Sequence, residues 1–216
     1  MMKSVILLIA AAAAVALIAP SARASLTASK AFASAPQSVF PLLDTNTRLD
    51  MIDYYNSNLS TPSPNRLDGR SRITSLSDKV ASIELTQASS CDVIIMPAAA
   101  GDTIIALIST VATPAPDSHI SFYSRDWKEI PTSRLFTKPV LSDWLSEQGK
   151  KNRGDVEAMV PFLLISYSWD PSSNVLTLTN NTKEFLTDDI YSFVTDYMLP
   201  TISYRWDGRK FSRIKD

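Results

Sequence analysis

The chain has 216 residues, of which 45% are hydrophobic, and its 21 Lys and Arg residues nearly balance its 22 Asp and Glu residues. The length fits one domain with its own core, and the near-neutral composition without a basic stripe excludes a nucleic-acid-binding or anionic-lipid-binding surface built on clustered cations. A single cysteine, Cys91, excludes an intramolecular disulfide, and a single histidine, His119, excludes a metal site made of several histidines.

Residues 1–24 have the pattern of a cleaved export signal. Lys3 precedes an apolar run from Val5 to Ala19, and the small-residue site Ala22-Arg23-Ala24 follows. The apolar run is too short for a comfortable transmembrane helix, which makes this order of features typical of a secretory signal peptide. We therefore expect cleavage after Ala24, a mature chain without a membrane anchor, and a periplasmic or extracellular location.

The segment after the signal predicts a flexible lead-in. Residues 25–37 are small, polar and interrupted by proline, a composition typical of chain that packs against nothing. We expect a single domain over residues 38–216.

Helical spacing of apolar residues predicts an amphipathic helix from Phe40 to Leu59, which ends before the prolines of Thr61-Pro62-Ser63-Pro64. Asp44 and Arg48 are four residues apart, which predicts an ion pair on the helix surface. The apolar positions are Leu42, Leu49, Ile52, Tyr55 and Leu59, and the polar positions opposite them are Asn46, Asp50 and Asp53.

Short β-rich runs then predict antiparallel strands at residues 80–85, 93–96 and 103–111. The run Thr103–Val111 is apolar at both parities, so we expect it to lie centrally in the sheet and to be covered on both faces. In the next strand, Ile120 and Phe122 point to one face and His119 points to the other.

Two shorter helices are predicted in the second half of the chain. The first spans Val140–Gln148 and ends in an exposed loop at residues 149–154. The second runs from the capping residues Thr187-Asp188-Asp189 through Met198.

A hairpin repeats within the sequence, because Ile165–Asp170 and Ile202–Asp207 match in five of six positions. Asp207 and Gly208 predict a two-residue turn. That turn places Tyr204 opposite Phe211, with both rings buried.

Two sets of side chains are candidates for catalysis. Carboxylates for hydrolysis or cation binding are available from the first helix, at Asp44, Asp50 and Asp53, with Asp188 and Asp189 far along the chain. A histidine-dependent mechanism has to use His119. Asp117-Ser118-His119 is no catalytic triad, because neighbours in a strand point to alternate faces. A dyad of Cys91 and His119 is an alternative to the usual burial of a lone thiol. No metal site and no cofactor are expected, since the five glycines form no phosphate-binding or dinucleotide-binding loop.

The hairpin aromatics are candidates for binding. Trp169 and Trp206, with Arg209 beside the second turn, are suited to stacking on a sugar or a base. Alternate Ile, Tyr and Trp residues more often form an ordinary core-facing stripe of a strand, and this is the favoured interpretation.

Several segments, in order along most of the chain, resemble a family of uncharacterised exported proteins from Bacteroidales-type bacteria, domain of unknown function 3256. The resemblance implies export and a single domain, and it implies no activity, ligand or site residue. The matching segments are Phe40–Tyr55, Asn65–Gly69, Ile73–Asp78, Ile104–Thr110, Asp117–Tyr123 with Trp127, and Tyr204–Phe211.

The segregated patterns predict one α+β domain, a mostly antiparallel sheet with an N-terminal amphipathic helix and two shorter helices. The leading functional hypothesis is a non-enzymatic envelope or secreted binding protein with an unknown envelope or extracellular partner. One alternative is a hydrolase or cation-dependent enzyme that uses the helix carboxylates. The other is a glycan-binding module that uses the hairpin aromatics.

Overall fold

The computed structural model describes residues 25–59 and 61–215, so the predicted signal peptide lies outside the described residues. The described chain has three layers, which are two N-terminal helices, a seven-stranded antiparallel sheet and a four-stranded antiparallel sheet. Three more short α-helices lie in the second half of this described chain. The fold is α+β with mostly antiparallel sheet, as predicted.

Strands that are consecutive in sequence are neighbours in both sheets. The α-helices are α1 (Ala28–Ser34), α2 (Thr45–Asn56), α3 (Glu147–Lys151), α4 (Arg153–Met159) and α5 (Asp188–Val194). The large sheet contains, in spatial order, β1 (Ser63–Pro64), β2 (Arg70–Leu76), β3 (Val80–Thr86), β4 (Ser89–Pro97), β5 (Thr103–Val111), β6 (Asp117–Ser124) and β7 (Glu129–Ile130). The small sheet contains β8 (Ile165–Asp170), β9 (Val175–Asn180), β10 (Thr201–Trp206) and β11 (Phe211–Arg213).

Strand β5 lies between β4 and β6 and is covered on both faces. Ile105 and Leu107 belong to the core beneath α1 and α2, whereas Ala106 and Ile108 belong to the core beneath the small sheet. Successive side chains of a strand alternate between faces, so a strand covered on both sides needs apolar residues at both parities. The central position predicted for this run is confirmed.

An aromatic cluster fills the space between the two sheets. Phe136 packs edge to face on Tyr204, with ring centroids 5.1 Å apart, and on Phe211 at 5.8 Å. Such pairs contribute about 0.5–1.5 kcal/mol each beyond the burial of their area. The predicted burial of Tyr204 and Phe211 is confirmed.

Side chains of β6 join the edge of the small sheet to the large sheet. The Asp117 carboxylate accepts a hydrogen bond from the Ile165 N–H at 3.0 Å, and the Ser118 hydroxyl accepts one from the Tyr167 N–H at 3.1 Å. These N–H groups lie on the side of β8 that faces away from β9, where an edge strand otherwise leaves donors unpaired. The first two residues of Asp117-Ser118-His119 therefore have a structural role.

The segment predicted to be a flexible lead-in contains helix α1 instead. The Thr27 hydroxyl caps the helix, and the Ala28 N–H donates to the Asp78 carbonyl at 2.8 Å. Ala28, Ala31 and Phe32 are fully buried. Small residues let a helix approach a sheet closely, so the composition that resembles a linker here serves packing.

Helix α2 is shorter than predicted, and its buried face is shifted, since Ile52 and Tyr55 pack against the core as predicted but the fully buried residues are Arg48 and Met51. It begins at Thr45 after the Asp44 cap, and Leu49 is 46% exposed. Arg48 is only 1% exposed, and its guanidinium donates to the Ala35 carbonyl at 2.7 Å. The predicted surface ion pair between Asp44 and Arg48 is therefore wrong, because Arg48 binds main-chain carbonyls in the interior and Asp44 accepts from the Thr47 N–H.

The second hairpin has a longer turn than predicted. Trp206 pairs with Phe211, so residues 207–210 connect β10 and β11, and the predicted pairing of Tyr204 with Phe211 is wrong. The Asp207 carboxylate accepts hydrogen bonds from the N–H groups two and three residues further on, at 2.7 and 2.8 Å. This side-chain turn satisfies two main-chain donors and replaces the two-residue turn.

The helix predicted over Val140–Gln148 is divided into two pieces. A single 3₁₀ turn spans Leu141–Trp144, and α3 begins only after Ser146. Between them Leu145 is extended and forms an isolated β-bridge with Met198. The predicted exposed loop at residues 149–154 is mostly helical, in α3 and α4.

Candidate functional site

A cleft lies between the end of α2 and the outer edge of β2, which we call the α2–β2 cleft. Its volume is about 490 Å³, within the range of small-ligand sites. The lining combines aromatic, aliphatic and neutral polar side chains with one arginine. The lining residues are Met51, Tyr54, Tyr55, Asn58, Leu59, Thr61, Arg72, Ile73 and Thr74.

The end of α2 positions the two tyrosines of the cleft. The Leu59 N–H donates to the Tyr54 carbonyl at 2.8 Å, and the Asn58 N–H donates to the Tyr55 carbonyl at 3.1 Å. Asn58 has φ of 54°, the left-handed conformation that closes a Schellman motif. Because the motif satisfies both tyrosine carbonyls, it fixes the last turn of the helix and the chain that leaves it.

Strand β2 forms the opposite wall. Ser63 of β1 pairs with Ser71, and the Asn65 N–H donates to the Gly69 carbonyl at 3.1 Å. Hydrogen-bonded pairs recur at every second residue of an antiparallel ladder, so the next pair would join Thr61 to Ile73. No hydrogen bond joins the backbones of these two described residues, and both line the cleft. The cleft therefore opens where the β1–β2 ladder ends.

The lining suits binding more than acid–base chemistry. It contains no carboxylate, histidine or cysteine among the described residues. Arg72 forms an ion pair with Glu84 at 2.8 Å, so its charge is partly compensated. Tyrosine rings offer apolar faces to a ligand, and the Asn58 amide and the threonine hydroxyls offer hydrogen bonds.

The predicted carboxylates do not converge on the cleft. Asp50 and Asp53 are exposed on α2 and are absent from the lining. Asp44 caps α2, and the hydrogen bond from the Thr47 N–H lowers the pKa of its carboxyl. Within residues 25–59 and 61–215, no group of three or more His, Cys, Asp or Glu residues is arranged to hold a metal ion.

His119 and Cys91 do not form a dyad. Cys91 pairs with Ser109, and Ser109 pairs with His119, so the two residues are two strand spacings apart, about 10 Å. His119 is exposed, whereas Cys91 is 2% exposed and its burial raises the pKa of the thiol. A protonated, inaccessible thiol is a poor nucleophile.

The hairpin aromatics are packed rather than presented as a platform. Trp206 is 4% exposed, and its indole N–H donates to the Pro97 carbonyl at 2.6 Å. Trp169 is partly buried and packs edge to face on Phe211 at 6.0 Å. Arg209 is exposed in the turn between β10 and β11. Trp206, the ring nearest to Arg209 in sequence, thus offers no face to a ligand.

Two other depressions lie among the described residues. One of about 990 Å³ is bordered by Ser25, the first described residue, and has no aromatic side chain in its lining. The other, of about 230 Å³ beside α5, is smaller than most small-ligand sites. The α2–β2 cleft is therefore the best candidate.

Sequence reasoning missed Tyr54 and Arg72 as site residues and used Tyr55 only as a core position. The available signal was Tyr54-Tyr55 immediately before the helix break, with Asn58 in position for a left-handed cap. The distance from the helix end to β2 has no signature in a pattern of residue types.

Comparisons with known proteins agree with the fold and give no activity. A family model described as "Protein of unknown function (DUF3256)" matches residues 22–211. No curated protein matches the chain. A solved structure described as "Structure of a domain of an uncharacterized protein from Porphyromonas gingivalis W83" has a TM-score of 0.74 at 20% identity and covers 86% of this chain and 98% of its own. Among the described residues, no helix has the length and hydropathy needed to cross a lipid bilayer.

Proposed function

Because the chain belongs to the family of proteins of unknown function DUF3256, whose description names no activity, we propose its function from its own geometry. We propose that it is an exported, non-enzymatic binding protein that holds its ligand in the α2–β2 cleft. The observation that carries this proposal is the pair of half-buried tyrosines on a capped helix end, facing the edge of a sheet across a volume of about 490 Å³.

The rigidity of the cleft walls supports a binding role. The Schellman motif at Asn58 fixes one wall, and the paired strands β2 and β3 form the other. A preformed site loses little conformational entropy when a ligand binds. The described lining contains no carboxylate, histidine or cysteine, so among its residues only the two tyrosines and Arg72 carry a titratable group beside a bound ligand.

Export is supported by the pattern of residues 1–24. The test is expression of the whole chain in a Gram-negative host, followed by cell fractionation and N-terminal sequencing. We expect a product that begins at Ser25 in the periplasm or the medium. A product that keeps Met1 and stays in the cytoplasm would contradict export.

The binding site is tested with the chain from Ser25 onward, which contains every described element. Thermal-shift and calorimetric titrations use peptidoglycan fragments, oligosaccharides and short peptides as probes. A ligand at about a hundred times its dissociation constant stabilises the native state by about 2.7 kcal/mol, which gives a clear shift in Tm. Tyr54→Ala removes one aromatic wall of the cleft. Tyr191→Ala, beside the small depression near α5, is the matched control.

We expect a probe that binds the wild type and the Tyr191→Ala variant and loses at least tenfold in affinity with Tyr54→Ala. Mass spectrometry after incubation should recover the probe unchanged. Turnover of a probe that disappears with Asp50→Asn or Asp53→Asn would overturn the non-enzymatic proposal. Equal loss of binding in both tyrosine variants would place the site elsewhere.

A further inference from the structure

The edge of β2 presents unpaired main-chain groups to the cleft. Ser71 directs its N–H and C=O groups toward β1, and alternation along the strand directs those of Ile73 to the same outer edge. The Ile73 side chain itself lies in the core and is 8% exposed. Among the described residues, no side chain or main chain completes the hydrogen bonds of Ile73 on this edge.

Other described sheet edges carry protective features. On the β1 edge, Pro62 and Pro64 alternate with the paired Ser63, so the outward positions have no N–H to donate. The β8 edge donates to the Asp117 and Ser118 side chains. Strands β7 and β11 have only two and three residues. Short edges, prolines and side-chain partners are usual protections against strand addition, and Ile73 has none of them. The pairing of β2 with β3 shifts register between Ile73 and Ser75, so the regular part of this edge ends at Ile73.

We infer that the cleft binds an extended peptide segment of a partner protein. This inference rests on the proposed function and names its ligand class. The segment adds to β2 as a strand, pairs its main chain with Ile73 and places an apolar side chain against Tyr54 and Tyr55. Within the lining, Arg72 and Ile73 are in regular register with β3, and Ile73 supplies the position at which the added strand pairs. Strand addition takes affinity from main-chain hydrogen bonds and specificity from alternate side chains.

A flexible peptide fits this place better than the sheet edge of a second copy. The cleft is lined by α2 and Thr61 as well as by β2, so a strand has to enter between these walls. Two stacked layers need about 10 Å between them, and a folded sheet brings a second layer of its own that has to fit beside α2. A single extended chain does not.

The test uses a capped pentapeptide of alternating threonine and valine as the probe, titrated into the chain from Ser25 and followed by amide NMR. Two derivatives are N-methylated, one at the valines and the other at the threonines. Alternate N–H groups of a strand point to opposite edges, so only one set faces β2. We expect the parent peptide to shift the Ile73 amide saturably, one derivative to bind like the parent, and the other to bind at least tenfold more weakly.

Equal affinities of the two derivatives, or failure of the parent to bind, would overturn strand addition. If both derivatives bind equally and Tyr54→Ala removes that binding, the cleft is a binding site and the proposed function stands without strand pairing. If Tyr54→Ala leaves every affinity unchanged, the proposed site itself is wrong. A dimer that protects the Ile73 amide from exchange and does not dissociate with peptide would replace the peptide by a second copy.

Discussion

Replacing Gly149 by alanine tests how closely α3 packs on the segment after α5. A Cβ atom at this position would overlap the Tyr197 carbonyl oxygen and would lie 2.9 Å from its carbonyl carbon. These are main-chain atoms, so no side-chain rotation relieves the overlap. The same Tyr197 oxygen accepts the Ser146 N–H at 2.9 Å, just before α3 begins. Relief of the overlap therefore requires α3 and Tyr197 to separate.

The expected change in the free energy of unfolding is the sum of two destabilising effects and one stabilising effect. Overpacking costs about 1–3 kcal/mol, and loss of the hydrogen bond from Ser146 to Tyr197 costs about 1 kcal/mol more. Replacing a helical glycine by alanine recovers at most about 1 kcal/mol. We expect Gly149→Ala to lower the free energy of unfolding by about 2 kcal/mol, and Tm by about 4–8 °C for a chain of this size.

Gly154→Ala in α4 is the matched control, because a Cβ there meets no atom within 4 Å. We expect its Tm to stay unchanged or to rise by about 1–4 °C, from helix propensity alone. Thermal melts followed by circular dichroism, with urea titrations for the free energy of unfolding, measure both variants. A Tm of Gly149→Ala equal to or above that of Gly154→Ala would refute the close approach of α3 to Tyr197.

Three further predictions concern single side chains. Ser118→Ala removes the acceptor of the buried Tyr167 N–H and should destabilise by about 1–3 kcal/mol in urea unfolding, whereas the exposed Ser109→Ala should change stability by less than about 0.5 kcal/mol. Cys91, with its pKa raised by burial, should resist Ellman's reagent at pH 8 until denaturant is added, and rapid native labelling would contradict this. Asp170, whose carboxylate accepts hydrogen bonds from the two serines after the strand, should titrate by NMR with a pKa of about 2. Since folding lowers this pKa, the stabilisation from the ionised Asp170 carboxylate is present above about pH 4 and is lost as pH falls through about 2. An NMR inflection near pH 4 would show that the hydrogen bonds from the two serines are absent.

Strand positions in the large sheet were predictable because burial and strand geometry impose the same pattern. The run Thr103–Val111 is apolar at both parities, and it forms the doubly covered β5. Ile120 and Phe122 are buried on one face of β6 while His119 is exposed on the other. Such local alternation needs no knowledge of what covers the sheet.

The faces of the helices were less predictable, because tertiary contacts decide which residue is buried. Arg48 was assigned to the surface from its charge, yet it lies inside, its head donating to the Ala35 carbonyl and packing 5.7 Å from the Phe40 ring. Ala35 follows α1 in the segment 25–37, which the composition predicted to be flexible. Because α1 was not predicted, no main-chain acceptors for a buried arginine were expected. Arg48 was therefore placed on the surface and Leu49 in the core.

The α2–β2 cleft depends on where α2 ends and where β1 begins, and both points are visible in the sequence. It also depends on the distance between the end of α2 and β2, which the sequence does not show. Asn58 closes α2, and the prolines 62 and 64 mark the start of the short β1. Leu59 and Thr61 line the cleft together with Ile73, but the β1–β2 ladder ends before it reaches Thr61 and Ile73. How far apart these two residues lie depends on how α2 packs on the sheet, through a buried face that includes Arg48. The misassigned arginine and the unpredicted cleft therefore have one cause, which is that both depend on contacts between α1, α2 and the large sheet that residue periodicity does not encode.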